Sequence, residues 1–282
     1  MRNLRNYLLY SNIFIAICAF CLTMCSSYIF PISKIDLLPF AMFSFFSVFT
    51  YYNFQRIFQF ELDNYKITSK YSIWLKHNFK FKLGSLVLII FCCLPFVLEV
   101  ILTNLVWILA SGITAVFYFL PIFPMRKILF IKPFFVSFFW VLICILFPLI
   151  KLVNFTIYEL LVFSVAEFFF IAGLCLLFDI RDMKYDEQAG VKTFPLTYGI
   201  LATKIITSFL LVFFLILIFC LSYVTDYFRN STFQQAFVIV FIFSFAATWF
   251  ANEKRSEYYF AFFVDGCILS QFIVLLGIEN FQ

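Results

Sequence analysis

Runs of about 20 apolar residues recur from one end of this 282-residue chain to the other, and each is long enough to cross a bilayer as an α-helix. Within lipid the backbone must satisfy its own hydrogen bonds, so only helices or closed barrels can span it, and unalternating runs of this length read as helices. Composition agrees: 65% of the residues are hydrophobic, 12% are charged, and Phe alone contributes 47. A soluble domain is roughly half apolar and about a quarter charged, and could not hide this much apolar surface. No Pro/Gly/Ser-rich linker, charged tail or low-complexity insert divides the chain. The expected fold class is an all-α, multi-pass membrane bundle forming a single domain over residues 1–282.

Nine spans are expected, near 7–30, 37–58, 81–98, 102–120, 133–150, 155–178, 200–223, 233–251 and 259–278. The third and fourth share one apolar run, which Pro95, Glu99, Thr103 and Asn104 are expected to break with a tight extracytoplasmic turn. Charge then sets orientation. With the N-terminus inside, only Lys34, Lys151 and Arg229 of the 20 Lys and Arg residues fall outside, the asymmetry expected of cytoplasmic loops. An N-in, C-out bundle follows, with a bacterial cytoplasmic membrane as its expected location. The first run is too long for a cleaved signal peptide and no small-x-small site follows it, so it reads as a retained span. The net charge of +5 belongs to the cytoplasmic loops, where anionic headgroups are the natural neighbours. No run resembles a nucleic-acid-binding motif.

The nine cysteines all lie within expected spans, and the CxxC of Cys18 and Cys21 has no second pair or histidine at metal-ligand spacing. They read as small core or lipid-facing residues. His77, the sole histidine, lies in a basic loop and reads as a headgroup contact. One histidine and no GxSxG elbow exclude a hydrolytic triad.

The polar stretch "FDIRDMKYDEQAGVKTFPLTYG", Phe178 to Gly199, stands out from this background. If the sixth helix continues through it, Asp179, Asp182 and Asp186 share an arc of about 60°, with Arg181 and Lys184 on the other side. Gly190 offers a helix end and Pro195 bars an immediate continuation. A solvated charged face is the plainer reading. Against it, three like charges on one stripe repel one another unless a cation sits among them. Carboxylates together with substrate phosphates are also what Mg²⁺ takes as ligands.

"DIRDMKYDEQAGVKTFP" resembles the second aspartate-rich signature of the UbiA family of intramembrane prenyltransferases, DxxDxxxDxxxGxxT. Asp179, Asp182, Asp186, Gly190 and Thr193 match in register, in the loop after the sixth span. Tyr118, followed by Arg126 and Lys127, resembles the family's "Y…KR" segment after its fourth helix, and "FFVDGCILSQ" in the last span has a similar look. The resemblance implies a nine-helix, N-in bundle over the whole chain and a Mg²⁺-assisted transfer of a prenyl group from a polyprenyl diphosphate to a hydrophobic, often aromatic, acceptor within the bilayer. It implies Asp179, Asp182, Asp186 and Glu61 as metal ligands, and Asn53, Arg56, Tyr118, Arg126 and Lys184 as substrate contacts. Asp182 and Lys127 are the residues implied nearest the chemistry.

The first signature departs from the family pattern NDxxDxxxD. This chain reads "NFQRIFQFE": Asn53 is retained, Phe54 and Ile57 replace two aspartates, and Glu61 stands at the third. One metal half-site is thereby depleted. Arg56 lies on the same face and either supplies a fixed guanidinium for phosphate or anchors the helix end by snorkelling. Function therefore divides between a prenyltransferase and a catalytically degenerate relative that binds isoprenoid or lipid or scaffolds partners. A transporter is a third and weaker reading: Glu167 and Asp265 lie inside spans but read as isolated acids, Glu167 either lining a cavity or standing as a hydrogen-bonded core acid.

Overall fold

A computed structural model describes residues 8–62, 70–106, 108, 109, 112, 131–152, 156–188, 190–224 and 231–279. All regular structure among the described residues is helical. We number the helices α1 (Ile13–Ile29), α2 (Lys34–Leu62), α3 (Lys70–Thr103), α4 (Ile131–Leu152), α5 (Ile157–Gln188), α6 (Phe194–Val224), α7 (Ser231–Phe250) and α8 (Tyr259–Ile278). Seven of them are long and apolar enough to cross a membrane, and α1 is a shorter apolar helix. The chain is an integral membrane helical bundle. Most of the expected fourth span, 102–120, lies outside the described residues.

Two boundaries differ from expectation. The expected first span is interrupted: residues 8–10 are helical, Asn12 adopts a left-handed conformation (φ 63°), and α1 begins after it at Ile13. The break expected across Pro95–Asn104 contracts to Asn104 alone. Beyond a kink at Asn78, α3 runs through Pro95 and Glu99 to Thr103, and Asn104 then turns the chain while its Nδ2 donates to the Val100 carbonyl at 3.0 Å. A proline removes one helical hydrogen bond, which spanning helices tolerate where there is no water to compete for the rest.

Consecutive helices from α4 to α8 pack side by side, α8 returns to α1, and α1 pairs with α2. Contacts of α4 with α1 and α2 close the ring, and α3 lies outside against α2. Inside are the rings of Phe163, Phe170, Phe214, Phe237 and Phe260, whereas Phe91, Leu201, Phe209 and Phe250 point outward, as a lipid-facing perimeter requires.

Polar stitches fix the register of this apolar ring. α4 widens into a π-helix at Leu142–Leu146. The Ile143 carbonyl there accepts from Ser44 of α2 at 3.3 Å, and Ser44 Oγ in turn accepts from Thr23 of α1 at 2.8 Å. Between α5 and α6 the stitch is a close approach at Gly173, whose carbonyl accepts from Thr207 Oγ1 at 3.3 Å. A Cβ on Gly173 would stand 3.5 Å from Thr207 Cγ2 and 3.7 Å from Leu210 Cβ, ordinary contact distances. Small residues let spanning helices come this near. Gly173→Ala should therefore leave the thermal unfolding midpoint in detergent almost unchanged. Gly173→Leu should force the helices apart and lower it, at a cost of about 1–3 kcal/mol.

Candidate functional site

α5 continues without a break from the apolar Ile157–Phe178 stretch through all three aspartates to Gln188. It ends where the sequence places its stop. Gly190 takes φ 65°, the Val191 N–H reaches back to the Asp186 carbonyl at 2.8 Å, and the Gly190 N–H to that of Glu187 at 3.1 Å. This is the left-handed cap for which glycine has no steric cost. α6 begins after a short connection, with Pro195 in its first turn.

Seven residues of helix bring Asp179 and Asp186 to within about 20° of the same azimuth, two turns apart, with Asp182 rotated by about 60°. The structure uses that geometry. Lys132, at the start of α4, inserts its ammonium between the two aligned acids, 2.8 Å from Asp179 Oδ1 and 3.2 Å from Asp186 Oδ2. Asp179 and Asp186 are buried, 2% and 3% exposed. Asp182 takes a different partner: Arg181 donates from Nε to Oδ1 at 2.7 Å and from Nη2 to Oδ2 at 2.9 Å. Its guanidinium also covers the Phe178 ring, 4.8 Å from the centroid. Arg181 thus does not point away from the acids, as its helical position suggests. Lys184 does, and is exposed.

α2 delivers Arg56 to the same end of the bundle, where it interacts electrostatically with Asp182 and with Asp265 of α8. Lys82 of α3 joins it, buried, with Nζ donating to the Tyr10 carbonyl at 3.1 Å and 5.9 Å above the Trp74 ring. Asn53 is brought near but is occupied. Its Nδ2 donates to the carbonyls of Phe49 at 2.7 Å and Ser11 at 3.1 Å, and its Oδ1 accepts from Asn12 Nδ2 at 3.1 Å. Both amide hydrogens and the carbonyl are spent within the protein, so Asn53 holds α2 to the left-handed entry of α1. These three bonds give Asn53 a structural role beside the substrate contact that the resemblance implies. The Glu61 side chain, Tyr118, Arg126 and Lys127 lie outside the described residues.

The two acids read as isolated are not. Gln271 of α8 donates to Glu167 Oε2 at 3.1 Å in the bundle core, and Asp265 interacts with Arg181 as well as Arg56. Lys132 is the residue that reading the sequence missed. Two signals pointed to it: an isolated lysine inside the apolar run "ILFIKPFF", and a like-charge stripe that needs a cation.

Among the described residues, the donor set as it is paired does not fit the Mg²⁺ that the resemblance implies. Magnesium needs carboxylate oxygens in a near-octahedral shell. Here Lys132 claims an oxygen of Asp179 and one of Asp186, and the Arg181 fork claims both of Asp182. Among the described residues, no three carboxylate, thiol or imidazole groups converge as a metal site.

No protein-family model and no curated protein sequence matches the chain. A solved structure of digeranylgeranylglyceryl phosphate synthase, a protein of membranes, is similar over 99% of this chain and 100% of its own, with a TM-score of 0.59 and 19% identity. The two share a fold.

Proposed function

We propose that the chain is a membrane prenyltransferase of the UbiA type, acting on a polyprenyl diphosphate and a hydrophobic acceptor. The observation that carries this reading is the DxxDxxxDxxxGxxT stretch folded as one helix end, its acids interleaved with Lys132, Arg181 and Arg56 at the mouth of a ring of apolar helices. The shared fold with a synthase found in membranes supports it. The headgroup meets the charged end, and the isoprenoid tail lies among the aromatic side chains of the ring.

In the reaction, the allylic C–O bond breaks and its electron pair leaves with the diphosphate. A nucleophilic atom of the acceptor bonds to the allylic carbon and releases its proton to solvent. Fixed guanidinium and ammonium groups favour the step because negative charge grows on the leaving oxygen. Asp182 holds the Arg181 guanidinium by two bonds, so that charge is positioned before the ligand arrives. Nearby aromatic faces stabilise the developing allylic cation and keep water from it.

The test is release of diphosphate from farnesyl or longer diphosphates by purified protein supplied with a membrane lipid extract, in EDTA and in Mg²⁺. Release above a heat-inactivated control, reduced at least tenfold in Arg181→Gln, is expected. No release with any chain length under either condition would overturn the reading. It also carries the nine-span, N-in, C-out topology. Reporters fused after residues 150 and 282 should both read extracytoplasmic, and a cytoplasmic signal at 282 would remove the ninth crossing.

A further inference from the structure

We infer that this site binds the phosphate groups of its isoprenoid ligand without a divalent cation, Lys132 and Arg181 standing where metal-bound charge would otherwise meet the diphosphate. The inference rests on the prenyl-diphosphate reading and says how the headgroup is recognised.

Three observations carry it. The first is occupancy: Lys132 lies 2.8 and 3.2 Å from oxygens of Asp179 and Asp186, and Arg181 forks onto Asp182. A cation entering from solvent competes with a covalently tethered one at each acid, for both oxygens at Asp182 and for one each at Asp179 and Asp186. The second is presentation. The side chains of Lys132 and Arg181 keep 21% and 27% of their surface, whereas those of Asp179 and Asp186 keep 3% and 4%. A ligand approaching the cluster meets Lys132 in front of Asp179 and Asp186, and meets Arg181 side by side with Asp182, whose side chain keeps 30% of its surface. Three of the five N–H bonds of a guanidinium remain after a two-bond fork, enough for a bidentate grip on phosphate oxygens.

The third is charge balance across the mouth. Where the second metal half-site is expected, α2 carries Phe54 and Ile57 in place of acids, and Arg56 interacts electrostatically with Asp182 and Asp265. Asp179, Asp182 and Asp186 thus each interact with a basic side chain, Lys132, Arg181 or Arg56. These tethered cations offset the repulsion that an acidic cluster alone would present to a diphosphate, although Asp265 and Glu257 also lie near Arg181.

The decisive measurement is calorimetric titration of farnesyl and geranylgeranyl diphosphate into detergent-purified protein, in EDTA and in millimolar Mg²⁺. Dissociation constants within about threefold of each other are expected. Lys132→Ala should weaken binding in EDTA by about tenfold or more, and Mg²⁺ should restore much of the loss, because the two freed carboxylates become available to metal. Lys132→Arg keeps the charge and should keep binding in EDTA. If Lys132→Ala does not fold, Arg181→Gln tests the same point with the Lys132 clamp intact, and should lose affinity in EDTA. Binding of the unaltered protein only in Mg²⁺ would overturn the inference and leave the prenyl-diphosphate reading standing. Full affinity of Lys132→Ala or Arg181→Gln in EDTA would also overturn it. Absence of binding in both buffers would remove the prenyl-diphosphate reading itself.

Discussion

Lys132→Met should lower the unfolding free energy by about 3 kcal/mol and the thermal midpoint with it. The size follows from what the substitution leaves behind. Two carboxylates, 2% and 3% exposed, lose the one ammonium that the ion pairs place between them. Removing one partner of a buried pair costs roughly 3–5 kcal/mol, because the remaining charge is stranded out of water. The lower end applies here, since the Lys132 side chain keeps 21% of its surface and solvent already screens part of the interaction. The control is the triple variant Lys132→Met, Asp179→Asn, Asp186→Asn, which strands no charge. Replacing a whole buried ion cluster by neutral groups is often close to neutral, so the triple variant should recover most of the loss. Thermal unfolding in detergent, in EDTA, reads both. Equal destabilisation of the single and triple variants would show that the packing of the Lys132 stem, not its charge, is what counts. Added Mg²⁺ should raise the midpoint of the single variant and leave the unaltered protein unmoved, as expected for a ligand that binds only where acids are free.

The helical, membrane-spanning character of the chain was legible because it rests on a signal repeated through the sequence: apolar length. The end of α5 was legible for a local reason. Asp spacing, Gly190 and Pro195 each dictate backbone conformation or azimuth within one turn. The turn after α3 was misread by several residues because Pro95 breaks helices in water but not necessarily in lipid. The partners of the acids were not legible at all. Lys132 and Asp179 are 47 positions apart, and Gln271 and Glu167 are 104 apart. Pairing over such distances is a product of how α4, α5 and α8 stack, which periodicity does not encode. What the sequence did carry was the demand, since an acidic stripe beside an apolar bundle needs a cation from somewhere. Asn53 shows the converse. Its match to a signature position suggested a ligand contact, and nothing in that match foretold its hydrogen bonds to Asn12, Ser11 and Phe49.

That last point leads to a large effect on stability with no matching effect on the ligand. Asn53 makes three hydrogen bonds, to Phe49, Ser11 and Asn12, while 1% exposed. Asn53→Ala removes all three and leaves the Ser11 carbonyl and the Asn12 amide with fewer partners in a buried place. At about 1 kcal/mol for each bond, the expected loss is roughly 3 kcal/mol. Asn53→Asp should be worse than Asn53→Ala although it is nearly isosteric. A carboxylate would set an acceptor against the two carbonyls that now receive Nδ2 hydrogens, turning two attractions into repulsions in a desolvated pocket. The structural role predicts this order of thermal midpoints: unaltered protein, then Asn53→Ala, then Asn53→Asp. It also predicts that, below those midpoints, isoprenyl diphosphate binds Asn53→Ala with its ordinary affinity. A direct contact with substrate predicts the reverse, a stable Asn53→Ala protein whose affinity falls about tenfold. Thermal unfolding and calorimetric titration on the same preparation separate the two, since each role moves only one of the readings.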